Sequence, residues 1–171
     1  MLGDETKVAT SYTREHVQVG DVMCADDGIL SFLVVERLEN SIRTRIQNNG
    51  FLGENKGITF PQHTIEDLPA LSAKDRLDVL FAMEQMVDFV SVSAIRDVED
   101  VEELRVMLGN TKIKMLAKIE NARGMDNFES ILKMSDGIVL DRGYLGSEVD
   151  VDLVVIGQKR MIAQVCNRLP L

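Results

Sequence analysis

Residues 88–140 read DFVSVSAIRDVEDVEELRVMLGNTKIKMLAKIENARGMDNFESILKMSDGIVL, and this stretch decides the fold class. Three short apolar runs typical of strands, 88–93, 112–119 and 137–140, alternate with segments of helical periodicity. The strands begin about 24 and then about 25 residues apart. Alternation of this kind predicts an α/β fold in which helices cover parallel strands.

The repeat length fits consecutive units of a (β/α)8 barrel, in which about 250 residues are shared by eight units. A Rossmann-like sheet would have a similar spacing, but no strand is followed by the motif G-x-G-x-x-G, which lowers that alternative. Three parallel strands cannot close a barrel, and as an open sheet they would leave two unpaired edges. We therefore predict a partial (β/α)8 barrel of about three units, and we expect the chain to be an internal or truncated piece of a larger protein.

Capping residues mark the helices of this part of the chain. Ser72 is a good N-cap, and Asp75 is a weaker substitute for the capping-box glutamate. Gly109 is a typical helix stop, and a last amphipathic helix is predicted over about 153–166. The apolar positions of the earlier predicted helices are Leu77, Leu80 and Phe81, then Val98, Val101, Leu104 and Leu108, then Met125, Phe128, Ile131 and Leu132.

Residues 6–61 have the pattern of a different, all-β unit. Clusters of Gly, Asn and Asp separate its apolar runs, and Asp26-Asp27-Gly28 is one such turn signal. The spacing predicts a small antiparallel barrel or sandwich. The predicted strands lie within 17–24, 30–35 and 41–46.

The change of pattern predicts two domains. Residues 61–69 contain two prolines and an acidic pair, which is typical of a linker. We expect a small β-barrel domain over residues 1–66 and a partial (β/α)8 barrel domain over residues 67–171.

Composition excludes several classes of protein. The net charge of −9, from 19 basic and 28 acidic residues, argues against a basic face that binds nucleic acid. The apolar runs are too short to span a bilayer, and residues 1–5 lack the features of a signal peptide. Cys24 and Cys166 are far apart and are the only cysteines, which is typical of a reduced, cytoplasmic protein. We therefore expect no nucleic-acid partner, no membrane partner and a cytoplasmic location.

Active sites of parallel α/β folds lie at the C-terminal ends of the strands, where two charged residues stand out. Lys118 and Glu120 are two residues apart and should point to one side of the strand, away from the outer helices. Glutamate there could bind a hard cation such as Mg2+, and lysine could neutralise developing phosphate or oxyanion charge. An ordinary ion pair that seals the end of the barrel explains the two residues equally well.

Three further residues carry open interpretations. Gly143 and Gly146, after the third strand, could let main-chain N–H groups approach an anion, or they could belong to a plain turn. Lys56 lies between Asn55 and Gly57, where a solvated loop lysine is the ordinary interpretation.

Several short motifs occur along the chain in an order that resembles the pyruvate kinase family. The most specific are Lys118-Ile119-Glu120-Asn121 and Ser135-Asp136-Gly137-Ile138, and the resemblance covers nearly the whole chain after about residue 6. The other motifs are VQVGD at 17–21, DDGIL at 26–30, NGFLG at 49–53, KGI at 56–58, DLPALSAKD at 67–75, RGYLG at 142–146 and QK at 158–159.

The resemblance implies an architecture. Residues up to about 66 would form most of the small β domain, the lid inserted in the family's barrel. Residues 70–171 would be the fourth to sixth βα units of that barrel, with the helix that precedes them. The remaining barrel strands and the C-terminal effector domain would lie outside this chain. Family members are usually homotetramers.

The resemblance also implies roles for individual residues. Lys118 matches the lysine that stabilises charge on the transferring phosphoryl group and on the enolate, and Glu120 matches a Mg2+ ligand. Gly143 matches the glycine whose backbone contacts phosphoenolpyruvate, and Lys56 matches a lysine of the lid that contacts the nucleotide, ADP or ATP. The implied reaction moves a phosphoryl group from phosphoenolpyruvate to ADP. It also implies a K+ cofactor, whose family ligands would lie outside this chain.

Two departures from the family pattern bear on the site. Tyr144 stands where the family usually has aspartate as the second Mg2+ ligand, and a neutral phenol is a poor ligand for a hard cation. Asp141 lies nearby, but its orientation does not follow from strand alternation. Ala94 stands where the family usually has an aromatic residue.

Two rival functions stay open from the sequence. One is a catalytically inactive, pyruvate kinase-like piece that binds a partner or serves as a subunit, with its exposed edges covered by another chain. The other is a different enolate-handling barrel, such as an aldolase with a Mg2+ site, which the lid-like segment and the order of the motifs disfavour.

Overall fold

The computed structural model describes residues 17–61 and 69–168. These residues belong to two compact units that span residues 1–65 and 66–171. The predicted domain boundary and most of the predicted linker lie outside the described residues, so this division stays a prediction. Within the described ranges, no helix is both long and apolar enough to cross a membrane.

Residues 17–61 of the first unit form an antiparallel sheet of four strands in the order β3-β2-β1-β4. Its small core consists of Val17, Val34 and Phe60. The predicted antiparallel pairing is present, whereas closure into a barrel or sandwich stays a prediction. The strands are β1 (Val22–Ala25), β2 (Leu30–Arg37), β3 (Ile42–Ile46) and β4 (Ile58–Thr59).

Turns set the ends of these strands. The first strand begins at Val22 rather than at Val17, because the Asp21 N–H donates to the Gln18 carbonyl and closes a turn before the strand. The predicted turn at Asp26-Asp27-Gly28 joins β1 to β2, and its residues have φ angles of 54°, 55° and 85°. Asp and Gly suit this left-handed backbone because they tolerate positive φ at small cost.

The second unit contains the predicted parallel sheet. Its strands are β5 (Phe89–Val92), β6 (Lys114–Ile119) and β7 (Gly137–Leu140), in the order β5-β6-β7. The register pairs Val92 with Ala117 and Ile119 with Leu140. Strand β6 is therefore paired on both sides, and the ends of all three strands meet at one edge of the sheet.

Six helices follow or precede these strands within residues 69–168. Ser72 and Asp75 form a reciprocal capping box at the first helix, and Gly109 ends the second helix, both as predicted. The helices are α1 (Ala73–Glu84), α2 (Val98–Leu108), α3 (Ala122–Asp126), α4 (Phe128–Met134), α5 (Arg142–Glu148) and α6 (Val151–Arg168).

Two helix predictions, those over 125–132 and over about 153–166, are wrong in detail. The apolar positions from Met125 to Leu132 belong to two short helices that meet at Asn127, whose side-chain amide donates to the Arg96 carbonyl 3.0 Å away. The segment after β7 forms the helix α5 instead of a plain turn, because the Asp141 side chain caps it by accepting from the Gly143 and Tyr144 N–H groups. The final helix is longer than predicted and begins at Val151.

One core lies between the parallel sheet and its helices. Strand β6 alternates as predicted: Met115, Ala117 and Ile119 are at most 1% exposed, while Lys118 is on the opposite side. The largest fully buried side chains of this unit are Ile95, Val101, Leu104, Met115, Ile119, Ile131 and Leu145. This packing holds β6 rigidly and fixes the direction of its charged side chains.

Candidate active site

The structure places Lys118 and Glu120 side by side on the face of β6 that points away from the core. The Lys118 Nζ atom lies 2.8 Å from Glu120 Oε2, and the two side chains are 23% and 11% exposed. An ion pair this far from solvent is stabilised only when geometry and further contacts offset the loss of hydration.

A third charged residue, Asp141, completes the group. Its Oδ2 atom lies 2.7 Å from Lys118 Nζ. The register that pairs Ile119 with Leu140 puts Asp141 level with Glu120 at the end of the neighbouring strand. The position of Asp141 beside Lys118 does not follow from local pattern, because the pairing register of two strands about 20 residues apart cannot be read from it.

Tyr144, in the first turn of α5, closes one side of this charged group. Lys118 Nζ lies 5.7 Å from the centre of the Tyr144 ring, within the range of a cation–π contact. An aromatic ring therefore contacts the ammonium at the position where the family pattern has a carboxylate.

Glu120 is fixed from its other side by the loop after β5. The Ala94 N–H donates to Glu120 Oε1 over 2.7 Å, and Ala94 has a φ of 58°, which is unfavourable for alanine. Glu120 Oε2 is fully buried and receives no aligned hydrogen bond from the described residues. The charge of the Lys118 ammonium offsets the loss of hydration of this oxygen.

The charges perturb each other in the expected directions. Burial by itself would lower the pKa of the Lys118 ammonium, but the contacts with Asp141 and Glu120 outweigh burial and raise this pKa above its ordinary value. The hydrogen bond from Lys118 lowers the pKa of the Asp141 carboxyl against the opposing effect of burial. These contacts therefore stabilise the charged forms of Lys118 and Asp141.

Glu148 is a further acidic residue near this edge, at the end of α5. Burial raises the pKa of the Glu148 carboxyl, against the hydrogen bond from the Ala122 N–H, and the charge of Glu120 raises it further. The Glu148 Oε2 atom accepts that hydrogen bond over 3.0 Å. Since a raised carboxyl pKa means that ionisation is disfavoured in the folded state, Glu148 reduces stability as the pH rises through its pKa.

Gly143 and Gly146 do not form an open site for an anion in this structure. The Gly143 N–H donates to Asp141 Oδ1 over 3.2 Å, so this donor is engaged in the cap of α5. A side chain at Gly146 would meet Val154 Cγ2 at 4.0 Å, which is ordinary packing between α5 and α6.

Lys56 lies in the first unit, in the loop before β4. Its Nζ atom forms an ion pair with Asp26 Oδ1 over 2.8 Å. The loop lysine is therefore held beside the Asp26-Asp27-Gly28 turn.

The donor atoms around Lys118 do not suit a tightly held Mg2+ ion. Both carboxylates, Glu120 and Asp141, are in contact with the Lys118 ammonium, and the third neighbour, Tyr144, is a neutral phenol. Across residues 17–61 and 69–168, no group of three or more His, Cys, Asp or Glu side chains could hold a metal ion. Glu120, whose buried Oε2 atom faces the Lys118 ammonium, is the residue of the group that the family resemblance assigns to Mg2+.

Comparison with known proteins agrees with the resemblance seen in the motifs. The family described as "Pyruvate kinase, barrel domain" matches residues 2–170. Among curated proteins, a pyruvate kinase of Schizosaccharomyces pombe is 44% identical over 88% of this chain, and one of Clostridium perfringens is 39% identical over 98% of it. The chain spans 30% and 36% of the length of these two relatives. The chain therefore belongs to the pyruvate kinase family, a family of phosphotransferases.

Proposed function

We propose that the chain is the central portion of an enzyme that transfers a phosphoryl group from phosphoenolpyruvate to ADP and produces pyruvate and ATP. The observation that carries this proposal is the Lys118 ammonium, held at the C-terminal edge of a parallel sheet beside Glu120. Phosphoryl transfer depends on positioned cations that offset the charge of the transferring group. We further propose that the reaction serves glycolysis in the cytoplasm.

The proposed architecture follows the family. The parallel sheet β5-β6-β7 with its helices would be part of a (β/α)8 barrel, and the antiparallel sheet of the first unit would be its lid. Since the chain spans about a third of its relatives' length, the rest of the barrel would come from further polypeptide. A homotetramer is the proposed assembly.

Each site residue then has a proposed role. Lys118 would stabilise charge on the phosphoryl group and on the enolate, because its ammonium stays protonated between two carboxylates. Gly143 would contact phosphoenolpyruvate through its backbone, and Lys56 would contact the nucleotide. Asp141 is a positioning residue, since it holds Lys118 and caps the helix that contains Gly143.

The proposed cofactors are Mg2+ and K+. Glu120 is the proposed protein ligand of Mg2+, which supplies positive charge to the phosphates when bound. The ligands of K+ would lie outside this chain. The side chains around Lys118 do not by themselves complete a Mg2+ site.

A test of this proposal is the rate of pyruvate formation from phosphoenolpyruvate and ADP in a coupled assay, using the longest natural polypeptide that contains these residues. We expect Mg2+-dependent activity that requires an unusually high Mg2+ concentration. The Tyr144→Asp variant should lower the half-saturating Mg2+ concentration by about tenfold, because it adds a carboxylate beside Glu120.

The matched control is Tyr144→Phe, which keeps the ring against Lys118 and should leave the Mg2+ requirement unchanged. Equal Mg2+ requirements in wild type and Tyr144→Asp would contradict the role given to position 144. Absence of pyruvate formation at any Mg2+ concentration would contradict the proposed function itself.

The alternative function is a catalytically inactive member of the family that acts as a binding or subunit piece. It is favoured by exposed apolar side chains on α1 and on the edge strand β5. Leu77, Phe81 and Phe89 are 66%, 62% and 61% exposed, and another chain could cover these large apolar side chains. Size-exclusion chromatography and a denaturant melt separate the cases, since a soluble, cooperative monomer argues against a need for a covering partner.

A further inference from the structure

The cation-binding capacity of the site is limited by contacts that the carboxylates already make. Glu120 Oε1 accepts from the Ala94 N–H over 2.7 Å, and Glu120 Oε2 lies 2.8 Å from Lys118 Nζ. Neither oxygen of this carboxylate is open without a change in a neighbouring group.

Asp141 is engaged in the same way. Its Oδ1 atom accepts from the N–H groups of Gly143 and Tyr144 at 3.2 and 3.5 Å, and its Oδ2 atom lies 2.7 Å from Lys118 Nζ. The two carboxylates therefore face each other across one ammonium, and the Tyr144 ring lies 5.7 Å from that ammonium.

We propose that the Lys118 ammonium is the resident cation of this site and competes directly with a divalent metal ion for Glu120 and Asp141. The inference rests on the proposed function, which assigns Mg2+ to Glu120, and deepens it by naming the competing group. A divalent ion can bind both Glu120 and Asp141 only after it displaces the Lys118 ammonium from these two carboxylates.

The properties of the two cations explain why the Lys118 ammonium, and not Mg2+, occupies the space between the carboxylates. Mg2+ needs near-octahedral geometry at about 2.0–2.1 Å and gives up its water reluctantly. The ammonium is covalently attached to β6, so it pays no translational entropy to reach the carboxylates. Asp141 also cannot turn toward a new ion without releasing the backbone donors that begin α5.

The test is Mn2+ binding to the 171-residue chain, measured by electron paramagnetic resonance without any phosphorylated substrate. Wild type should show no site with a Kd tighter than about 1 mM. The Lys118→Met variant should bind one Mn2+ at least about tenfold more tightly, because it leaves two facing carboxylates without a cation. Adding Asp141→Asn to Lys118→Met should abolish the gain.

The matched control is Lys133→Met, which also frees a carboxylate, that of Glu129, from an ion pair of 2.7 Å, but on an exposed helix surface. This variant should bind Mn2+ no better than wild type. A wild-type site well below 1 mM, or a Lys118→Met variant that binds no more tightly than Lys133→Met, would overturn the proposal.

The Lys118→Met variant tests the proposal even if its metal-free form is unfolded. Mutual repulsion of the freed carboxylates would then be the cause, and Mn2+ should restore the circular dichroism spectrum of the fold. Failure of Mn2+ to restore it would overturn the proposal as well. Tight Mn2+ binding by wild type would overturn the competition between Lys118 and the metal ion, but not the proposed phosphoryl transfer. Weak Mn2+ binding by wild type together with no phosphoryl transfer would overturn only the proposed function.

Discussion

Replacing Lys118 with methionine is expected to lower kcat for phosphoryl transfer by about 10²–10³-fold in the longest natural polypeptide that contains these residues. Methionine has a similar length and no charge, so the change removes the cation and keeps most of the packing. The loss should appear mainly in kcat, because the cation acts most strongly on charge that develops during transfer. The coupled assay at saturating Mg2+ measures it.

A lysine on the same strand provides the control for this prediction. Lys114 is at the opposite end of β6, is 60% exposed and lies 3.6 Å from Asp136. Lys114→Met should leave kcat unchanged. An equal loss in the two variants would show that the effect comes from the strand and not from the charge beside Glu120.

Replacing Ile119 with alanine is expected to reduce the free energy of unfolding by about 2–5 kcal/mol. Ile119 is fully buried on the core side of β6, between the two site residues of that strand. The substitution removes buried methyl groups and leaves a cavity beneath the charged face of the sheet. Urea denaturation of the 171-residue chain, followed by circular dichroism, measures the change.

The control for this prediction is Ile162→Ala in α6, where the side chain is 46% exposed. A partly hydrated isoleucine loses less transfer free energy when it is shortened, so the cost should be clearly smaller. A cost for Ile119→Ala no greater than that for Ile162→Ala would mean that β6 is not packed as described.

The sequence correctly predicted strand faces, helix faces and helix caps, because these features depend on residues that are close together in the chain. Alternation along β6 predicted that Lys118 and Ile119 lie on opposite faces of the strand. The Ser72–Asp75 pair predicted the start of α1. The apolar stripe that includes Val101 and Leu104 predicted the buried face of α2. Each of these signals comes from a strand or helix period or from a cap, which acts within a few residues.

Features that depend on distant residues escaped prediction. Asp141 joins Lys118 through the register of two separate strands. The break at Asn127 depends on a hydrogen bond to Arg96, which is 31 residues away in sequence. The positive φ of Ala94 is held by the hydrogen bond that its N–H donates to Glu120. Tertiary contacts outweigh local preference at these positions.

Lys118 and Glu120 interact directly on one face of β6, and the proposed chemistry of the site requires this contact. The decisive measurement is a double-mutant cycle on the free energy of unfolding with Lys118→Met, Glu120→Gln and the double variant. Glutamine can still accept from the Ala94 N–H, so the cycle isolates the charge pair. We predict a favourable coupling of about 0.5–3 kcal/mol, and a coupling of zero would contradict the account.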